Sequence, residues 1–386
     1  MLTASLRLSS SGPVPPAAAV AATAGSRTRM ITRPAPDPRR RPNAFTALTV
    51  AGALLVVLRH SGPIFGGDAE TSWFQTLPPL GIYVLLAVSG FLLVQSWERR
   101  PNLAVYAGAR VVRIFPPLAI VVLLTVFVLG PLTTTLDGEL YFSSPETWAY
   151  LGNIALNPHY FLPGVFADNH YPFAVNGSLW SLPAQFACYF FVPVVAVLPA
   201  RPARGALWIV LGIVAAVASQ LPALATFSVW GSAPQDVLRV WPAFFFAAAL
   251  RELVGAPRVR WGVAAAALLA VVQLWLPAQL QLADWALVPV AVAAIGSAPI
   301  PVVSAAGRWG NPTYGAFLTG FPIQQTLAET FGTDHAAALL VASLVLAPTA
   351  GFVLARTVEQ PLTNAFRRAT RVRTGPVKAL PEPLVA

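Results

Sequence analysis

Charged residues are scarce in this sequence of 386 residues: Asp, Glu, Lys and Arg together make up only 10% of it. A soluble globular domain carries about 25% charged residues, so the composition excludes that class. Hydrophobic residues make up 56%, and their long runs predict membrane-spanning helices rather than a transmembrane barrel. There is a single cysteine, Cys188, which excludes an intramolecular disulfide and indicates no compartment.

Basic residues outnumber acidic ones, and the formal net charge is +10. They are scattered through short loops and tails, which is how a multi-pass protein sets its orientation in a membrane. The charge therefore predicts the lipid bilayer as a partner and does not suggest nucleic-acid binding. We find no internal repeat of the kind that marks many secondary transporters.

The apolar runs predict an all-α integral membrane protein with about ten transmembrane helices in residues 44–362. The predicted spans are 44–60, 77–97, 113–132, 179–199, 205–224, 237–254, 261–277, 283–299, 311–330 and 336–356. Arginines concentrate in the two terminal segments and in every second loop, which places both termini in the cytosol; Arg59 and Arg239 are exceptions at span edges. Residues 1–43 are expected to form a disordered Pro/Ala-rich tail, and residues 363–386 a basic cytosolic tail.

The longest predicted loop, residues 133–178, lies on the outer face in this arrangement. It contains aromatic residues, prolines, His159 and His170, but neither Lys nor Arg. A loop of this length usually has a function beyond connecting two helices.

The first span ends abruptly in Arg59-His60. As a helix, residues 44–60 would cross most of a ~30 Å hydrocarbon core and place a histidine at the far membrane surface. Imidazole is the side chain best suited to move a proton near neutral pH, so His60 is a candidate general base. The alternative is that an interfacial histidine merely ends the helix.

Arg110 and Arg113 form an Arg-x-x-Arg pair just before Pro116-Pro117. A spacing of three puts both guanidinium groups on one helix face, at the cytosolic membrane edge, where they would suit phosphate oxygens. The alternative is that they are ordinary positive-inside anchors. The two prolines fit the start of a helix rather than its middle.

Ser89-Gly90 lies in the middle of the second predicted span. Small residues there permit close helix approach. We prefer this interpretation to a catalytic serine because no base is predicted beside Ser89.

The order of these motifs resembles the acyltransferase 3 family of membrane O-acyltransferases. The matching pieces are Leu54-Leu-Val-Val-Leu-Arg-His60, Gly81 with Ser89-Gly-Phe-Leu92, Arg110-x-x-Arg-Ile-x-Pro116, Asn176-Gly-Ser-Leu-Trp-Ser-Leu-Pro183, Gly310-Asn-Pro-Thr-Tyr314, Phe317-Leu318 with Pro322, and Val358-Glu-Gln-Pro361. The resemblance implies transfer of an acyl group, often acetyl, from acyl-CoA to a hydroxyl. Family acceptors include surface polysaccharides, lipid-linked sugars, peptidoglycan and sugar-bearing antibiotics.

The resemblance also implies roles for individual residues. His60 corresponds to the family's histidine and would deprotonate the acceptor hydroxyl near the outer face. Arg110 and Arg113 correspond to its arginine pair and would bind the CoA phosphates on the cytosolic side, with the pantetheine arm threading between helices. Acyl-CoA is then a co-substrate, and no permanently bound cofactor is expected.

Several other residues have expected roles in an acceptor pocket or at a helix end. Asn176, Trp180 and Tyr314 could line an acceptor pocket, although a Trp at a membrane interface is more often a belt anchor. Glu359, before Pro361, is expected to end the last span. We predict no metal site, because three histidines lack any ligand-like spacing: His159, His170 and His335.

The sequence departs from the family pattern at several positions. Thr49 stands where the family usually has an Arg, eleven residues before the histidine, and Gln185 stands where it usually has a Glu. Leu85-Leu86 replaces a common aromatic pair, and Thr319-Gly-Phe321 replaces a stretch that often contains a histidine.

Gln185 is the departure that matters most for catalysis. A carboxylate can orient an imidazole, stabilise its charged form or relay a proton, whereas an amide can only orient it. In the serine-protease triad the corresponding change costs about 10⁴ in rate. Gln185 would then only position the acceptor, or Asp168 or Glu146 of the outer loop would substitute for the acid, or the enzyme would be weak.

The main interpretation is a membrane O-acyltransferase that uses acyl-CoA and a carbohydrate-type acceptor. The second is a transporter or acyl-CoA-binding protein that kept the fold and lost the chemistry, suggested by Thr49 and Gln185. A purely structural membrane subunit is disfavoured by His60 and the long outer loop. High Ala, Val, Pro and Arg with almost no Lys suggests a GC-rich bacterial genome, and thus a bacterial cytoplasmic membrane.

Overall fold

The computed structural model describes residues 43–66, 79–275, 280–300 and 310–372. These residues form helices and loops without a β-strand; the two isolated bridges among them join Thr134 to Val165 and Val229 to Ser232. The expected N-terminal tail, apart from Asn43, lies outside the described residues, as does most of the expected C-terminal tail.

Fourteen α-helices account for the described chain, together with short 3₁₀ and π segments. The helices are α1 Phe45–Phe65, α2 Leu80–Arg99, α3 Leu103–Leu124, α4 Gly130–Thr133, α5 Gly138–Ser143, α6 Pro145–Ala149, α7 Ser181–Val195, α8 Arg201–Ala218, α9 Pro234–Leu253, α10 Val259–Trp275, α11 Leu280–Ser297, α12 Thr313–Phe331, α13 Ala336–Leu354 and α14 Gln360–Val372. Two π turns, Thr125–Leu129 and Ala355–Glu359, join α3 to α4 and α13 to α14 without a break. Two 3₁₀ segments, Tyr150–Ala155 and Pro222–Ala225, lie in the loops.

Each of the ten predicted spans overlaps a long helix, and the expectation of an all-helical multi-pass membrane protein is confirmed. Five described segments are long and apolar enough to cross a membrane: Phe45–Phe65, Leu80–Arg99, Leu103–Thr133, Arg201–Ala218 and Ala336–Thr370. Three further apolar helices are shorter. The count of ten spans and the cytosolic location of both termini stay predictions.

Three sequence expectations about helix ends are wrong. Helix α1 does not end at His60 but continues to Phe65, because Ile64 and Phe65 are apolar and become buried. Helix α3 begins at Leu103 rather than near residue 113, since the side chain of Asn102 accepts a hydrogen bond from the Val105 amide at 2.9 Å and caps it.

As a result, Pro116 and Pro117 lie inside α3 rather than at its start. The last helix also fails to stop before Pro361: it continues through the π turn into α14, so residues 363–372 are helical. Prolines are tolerated in membrane helices because neighbouring helices and local π adjustments satisfy the freed backbone groups.

Helix α1 occupies a central place, packing against α2, α11, α12 and α13. Close approach of α2 to α9 depends on Gly90, where a Cβ atom would lie 2.2 Å from the carbonyl oxygen of Phe244. A similar contact joins α12 and α13, where a Cβ on Gly351 would lie 2.3 Å from the carbonyl oxygen of Pro312. The interpretation of Ser89-Gly90 as a close-packing site is thus confirmed.

Replacing Gly90 by alanine is expected to lower stability by about 1–3 kcal/mol or more, because the new methyl group meets backbone atoms that cannot rotate away. Thermal unfolding of detergent-solubilised protein, followed by circular dichroism, measures the effect. The control is Gly138→Ala in α5, where a Cβ meets nothing within 4 Å. Equal melting temperatures for the two variants would contradict this account of α2–α9 packing.

Candidate functional site

The imidazole of His60 is held by its own helix. Its Nδ1 atom lies 2.9 Å from the carbonyl oxygen of Val56, one turn earlier in α1. Because a carbonyl oxygen only accepts, Nδ1 carries the proton and donates it. In the neutral ring, Nε2 is then left with a free lone pair, which is the form that a general base needs.

The ring of His60 packs on Phe321 of α12, which links it to the long loop. Its centroid lies 5.1 Å from that of Phe321 in an edge-to-face arrangement, and Phe321 in turn lies 6.0 Å from the ring of Tyr171 in the loop. Phe321 belongs to the stretch Thr319-Gly-Phe321, for which the resemblance implied a histidine. In this protein the position supplies an aromatic wall to His60 instead.

Buried glutamine Gln324 fixes α12 to the same part of α1. Its Nε2 donates to the Val57 carbonyl at 2.9 Å and to the Ser61 hydroxyl at 2.7 Å. Both partners are close neighbours of His60 along the helix. The position of His60 relative to Phe321 is therefore set by hydrogen bonds as well as by apolar packing.

Asn176 joins the long loop to α12. Its Nδ2 donates to the Leu318 carbonyl at 2.8 Å, and its Oδ1 accepts from the Ser178 hydroxyl at 2.6 Å. Its side chain is buried, with 1% of the residue exposed. These contacts give Asn176 a role in holding the loop over α12, and contact with an acceptor stays a prediction for it.

The described contacts of the other two predicted acceptor-lining residues do not include His60. Trp180 is half-buried just before α7, where its carbonyl accepts from the Ser232 hydroxyl at 3.2 Å. Tyr314 donates its hydroxyl to the Ile114 carbonyl of α3 at 3.0 Å. Tyr314 therefore lies beside the arginine pair, two turns or roughly 10 Å along α12 from Phe321.

The arginine pair lies in the second and third turns of α3. Arg110 is half-buried: its guanidinium carbon lies 3.9 Å from the centre of the Tyr106 ring, and its Nη1 donates to the Tyr106 carbonyl at 3.0 Å. Arg113 is exposed. One guanidinium is thus pre-positioned by stacking, while the other is available to a ligand.

A group of polar side chains surrounds this pair. Arg113 is close enough to Tyr189, Tyr314 and Glu359 to interact with them electrostatically. Glu359 lies in the second π turn, is 8% exposed, and its Oε1 is buried without a hydrogen-bond partner in the described chain.

Sequence reasoning missed the location of Glu359. The residue was expected only to end a helix, yet it is a buried carboxylate beside Arg113. Its buried position depends on the π turn Ala355–Glu359, a conformation that occurs frequently at functional sites. The turn itself is not readable from the residue pattern.

Thr49, at the position of the missing family arginine, belongs to a neutral polar cluster. Its hydroxyl accepts from Thr313 at 3.0 Å and from Asn311 at 3.3 Å, and donates to the Thr46 carbonyl at 2.8 Å. This cluster ties the first turns of α1 to the start of α12. The Thr49 hydroxyl therefore makes all its hydrogen bonds in joining two helices, and the residue supplies no charge.

Gln185 does not contact His60. Its Nε2 donates to the Ser89 hydroxyl at 3.1 Å. Helices α1 and α2 run antiparallel with Phe45 beside Phe91, their ring centroids 5.3 Å apart. At about 1.5 Å rise per residue, Ser89 and His60 are then separated by roughly 20 Å along the helix axes.

No described carboxylate replaces Gln185 beside His60. Its neighbour along the chain, Arg59, is a cation rather than an acid. Glu146 accepts from Ser144 in the loop, and Asp168 is exposed near Glu329. His60 is not among the described contacts of either loop carboxylate, and a role for them as substitute acids stays a prediction. In the described chain, no group of three His, Cys, Asp or Glu side chains could hold a metal ion.

Because Gln185 bonds a neutral hydroxyl far from His60, Gln185→Ala should lower acyl transfer only about fivefold, the equivalent of ~1 kcal/mol for one neutral hydrogen bond. Initial rates with saturating donor measure this. A loss approaching the 10⁴-fold seen when an acid partner of a catalytic histidine is changed would mean that Gln185 reaches the reacting groups.

Comparison with known proteins gives two matches. The acyltransferase 3 family model, described as "Acyltransferase domain", matches residues 47–356. An "O-acetyl transferase" of Shigella phage Sf6 is 26% identical over 156 residues, which are 40% of this chain and 46% of that relative. The match therefore spans less than half of the relative's length. No solved structure matches this chain.

Proposed function

This chain belongs to the acyltransferase 3 family, and we propose that it moves an acyl group, acetyl in the first instance, from acyl-CoA to a hydroxyl of a sugar-containing acceptor. The observation that carries the proposal is the hydrogen bond from His60 Nδ1 to the Val56 carbonyl, since it leaves Nε2 free to accept a proton. The relative from phage Sf6, an O-acetyl transferase by name, supports the choice of acetyl.

In this proposal the arginine pair binds the acyl donor. Arg110 and Arg113 bind the phosphates of acyl-CoA, with Arg110 already held against Tyr106. Arginine forks suit phosphate oxygens because they can bind two at once. The pantetheine arm then extends along α12 from the level of Tyr314 toward Phe321 and His60.

Transfer is a single exchange at the thioester carbon. His60 Nε2 takes the proton of the acceptor hydroxyl, and the alkoxide oxygen forms a bond to the acyl carbon. The carbon–sulfur bond breaks, and the leaving CoA thiolate takes the proton from the imidazolium. The products are the acylated acceptor and CoA, and His60 returns to its neutral form.

Acylation is proposed to take place at the cytoplasmic membrane of a bacterium, with the donor on the cytosolic side and the acceptor on the outer side. The protein would then combine acyl transfer with delivery of the acyl group across the bilayer. The alternation of arginines between loops supports this orientation.

The test is mass spectrometry of envelope glycans, lipids and secreted metabolites from a deletion strain and from strains complemented with wild-type protein or His60→Ala. We expect one acyl increment to vanish on deletion and to return only with wild type, which also identifies the acceptor. Unchanged acylation in the deletion strain, with confirmed expression in the complemented one, would contradict the proposal.

A second candidate is an acyl-CoA-binding or transport protein without catalysis. The observation that favours it is that two residues that depart from the family pattern are uncharged in their structural contacts. Thr49 lies in a hydrogen-bonded cluster, and Gln185 donates a hydrogen bond to Ser89. Saturable binding of acetyl-CoA to purified protein without release of CoA, in the presence of envelope extract, would identify this case.

A further inference from the structure

We propose that residues 166–176 of the long loop, called the strap below, form the acceptor-binding wall of the His60 site, and that Tyr171 and Phe173 stack on a sugar ring of the acceptor. The proposal rests on the proposed function and names the subsite that would give it acceptor specificity. Its premise is that the strap is fixed beside His60 while its aromatic side chains stay accessible.

Fully buried Gln325 of α12 fastens the strap. Its Nε2 donates to the carbonyls of Tyr171 and Ala174, each at 2.7 Å. In return, Asn169 Nδ2 donates at 3.0 Å to both the Oε1 and the main-chain carbonyl of Gln325. Since every hydrogen-bonding group of the Gln325 amide is engaged, α12 determines where the strap lies.

The fastened strap places the ring of Tyr171 one aromatic residue away from the candidate base, while the ring of Phe173 lies 6.1 Å from that of Phe161. Tyr171 contacts Phe321, which contacts His60, with ring centroids 6.0 and 5.1 Å apart. Tyr171 and Phe173 are nevertheless 42% and 51% exposed. The backbone of Phe173 adopts a left-handed φ of 66°, a conformation that non-glycine residues keep only where surrounding contacts impose it.

The chemistry of the strap suits an uncharged sugar better than a phosphorylated group. The loop from residue 133 to 178 contains no Lys or Arg, so it offers no cation to a phosphate. Exposed aromatic faces instead bury the apolar C–H face of a sugar ring. The exposed side chains of Asp168 and His170 add hydrogen-bonding groups for sugar hydroxyls.

Bilayer anchoring is the competing explanation for exposed aromatic residues near a membrane surface. The same region contains a second aromatic group that serves as a comparison. Phe127, Phe142 and Trp148 pack on one another with centroids 6.1–6.4 Å apart, and Trp148 is 48% exposed. None of their described ring contacts involves Phe321 or His60.

The experiment measures acetyl transfer from acetyl-CoA to envelope extract of the deletion strain, using full-length protein and the variants Tyr171→Phe, Tyr171→Leu, Gln325→Ala and Trp148→Leu. Leucine keeps an apolar side chain for the bilayer but removes the aromatic face, whereas phenylalanine keeps the face. The readouts are the KM for extract, the KM for acetyl-CoA, and hydrolysis of acetyl-CoA without extract.

We expect Tyr171→Leu to raise the KM for extract roughly three- to tenfold and to leave the KM for acetyl-CoA unchanged, with Tyr171→Phe close to wild type. Gln325→Ala should raise the same KM and also increase hydrolysis, because water replaces the acceptor at a loosened site. In that reaction, water oxygen bonds to the acyl carbon, the carbon–sulfur bond breaks, and acetic acid and CoA are released.

An unchanged KM for extract in Tyr171→Leu, or an equal rise in Trp148→Leu, would overturn the proposal. Tyr171 is exposed, so this test does not depend on whether Gln325→Ala folds. Wild-type protein without transfer would instead overturn the proposed function, and the strap proposal with it. If wild-type protein is active and Tyr171→Leu leaves the KM for extract unchanged, only the strap proposal is overturned.

Discussion

Replacing His60 by glutamine is expected to lower acyl transfer by roughly 10²–10⁴-fold, the usual contribution of a general base. Glutamine can still donate a hydrogen bond to the Val56 carbonyl, as His60 Nδ1 does at 2.9 Å, but it cannot accept a proton. The folded structure should therefore persist while the chemistry is lost. Initial rates of CoA release in the presence of acceptor measure the effect, and thermal unfolding verifies the fold.

The matched control for this variant is His335→Gln. His335 is exposed at the residue before α13, and it has no part in the proposed site. We expect its rate to equal that of wild type. A His60→Gln protein that transfers acyl groups within a factor of about three of wild type would contradict the role of general base.

Replacing Arg110 or Arg113 by alanine is expected to raise the KM for acyl-CoA by roughly 10–100-fold, because a hydrogen bond to a charged group contributes about 1.5–3 kcal/mol. Since the loss concerns donor binding rather than chemistry, kcat should change less than KM. Lysine should restore only part of the affinity, because an ammonium cannot bind two phosphate oxygens in one plane. Steady-state kinetics with acetyl-CoA as the varied substrate separate KM from kcat.

Arg258→Ala provides the control for charge alone, since Arg258 is an exposed cation in the short connection between α9 and α10. If the arginine pair were only an orientation signal, all three alanine variants would show reduced membrane insertion and an unchanged KM. A selective KM effect in Arg110→Ala and Arg113→Ala, with normal insertion, is the result that the phosphate-binding role requires.

The sequence predicted the location of the helices well because apolar runs report burial in lipid or protein directly. It predicted their ends poorly. Helix α1 passes His60 because the last apolar residues, Ile64 and Phe65, are buried by packing partners far along the chain. Helix α3 includes two prolines, Pro116 and Pro117, although the residue pattern placed them at its start; such prolines are tolerated where surrounding helices satisfy the freed backbone groups.

For the site residues, too, local features were predictable from the sequence and long-range contacts were not. The position of His60 on a membrane helix and the spacing of Arg110 and Arg113 on one helix face were readable from local sequence. The partner of Gln185 was not, because Ser89 lies 96 positions away and only the packing of α2 against α7 brings the two together. The fastening of the strap by Gln325 likewise depends on contacts across about 150 residues.

The π turn Ala355–Glu359 sets the angular phase of the helix that follows it. A π turn holds one residue more than an α-helical turn, so α14 is rotated by about 100° relative to a regular continuation of α13. In the rotated position Phe366 packs on Gly108 of α3, and the Thr370 carbonyl accepts from Arg100 Nη2 at 3.0 Å. One inserted residue thus turns α14 toward α3, the helix that carries the arginine pair.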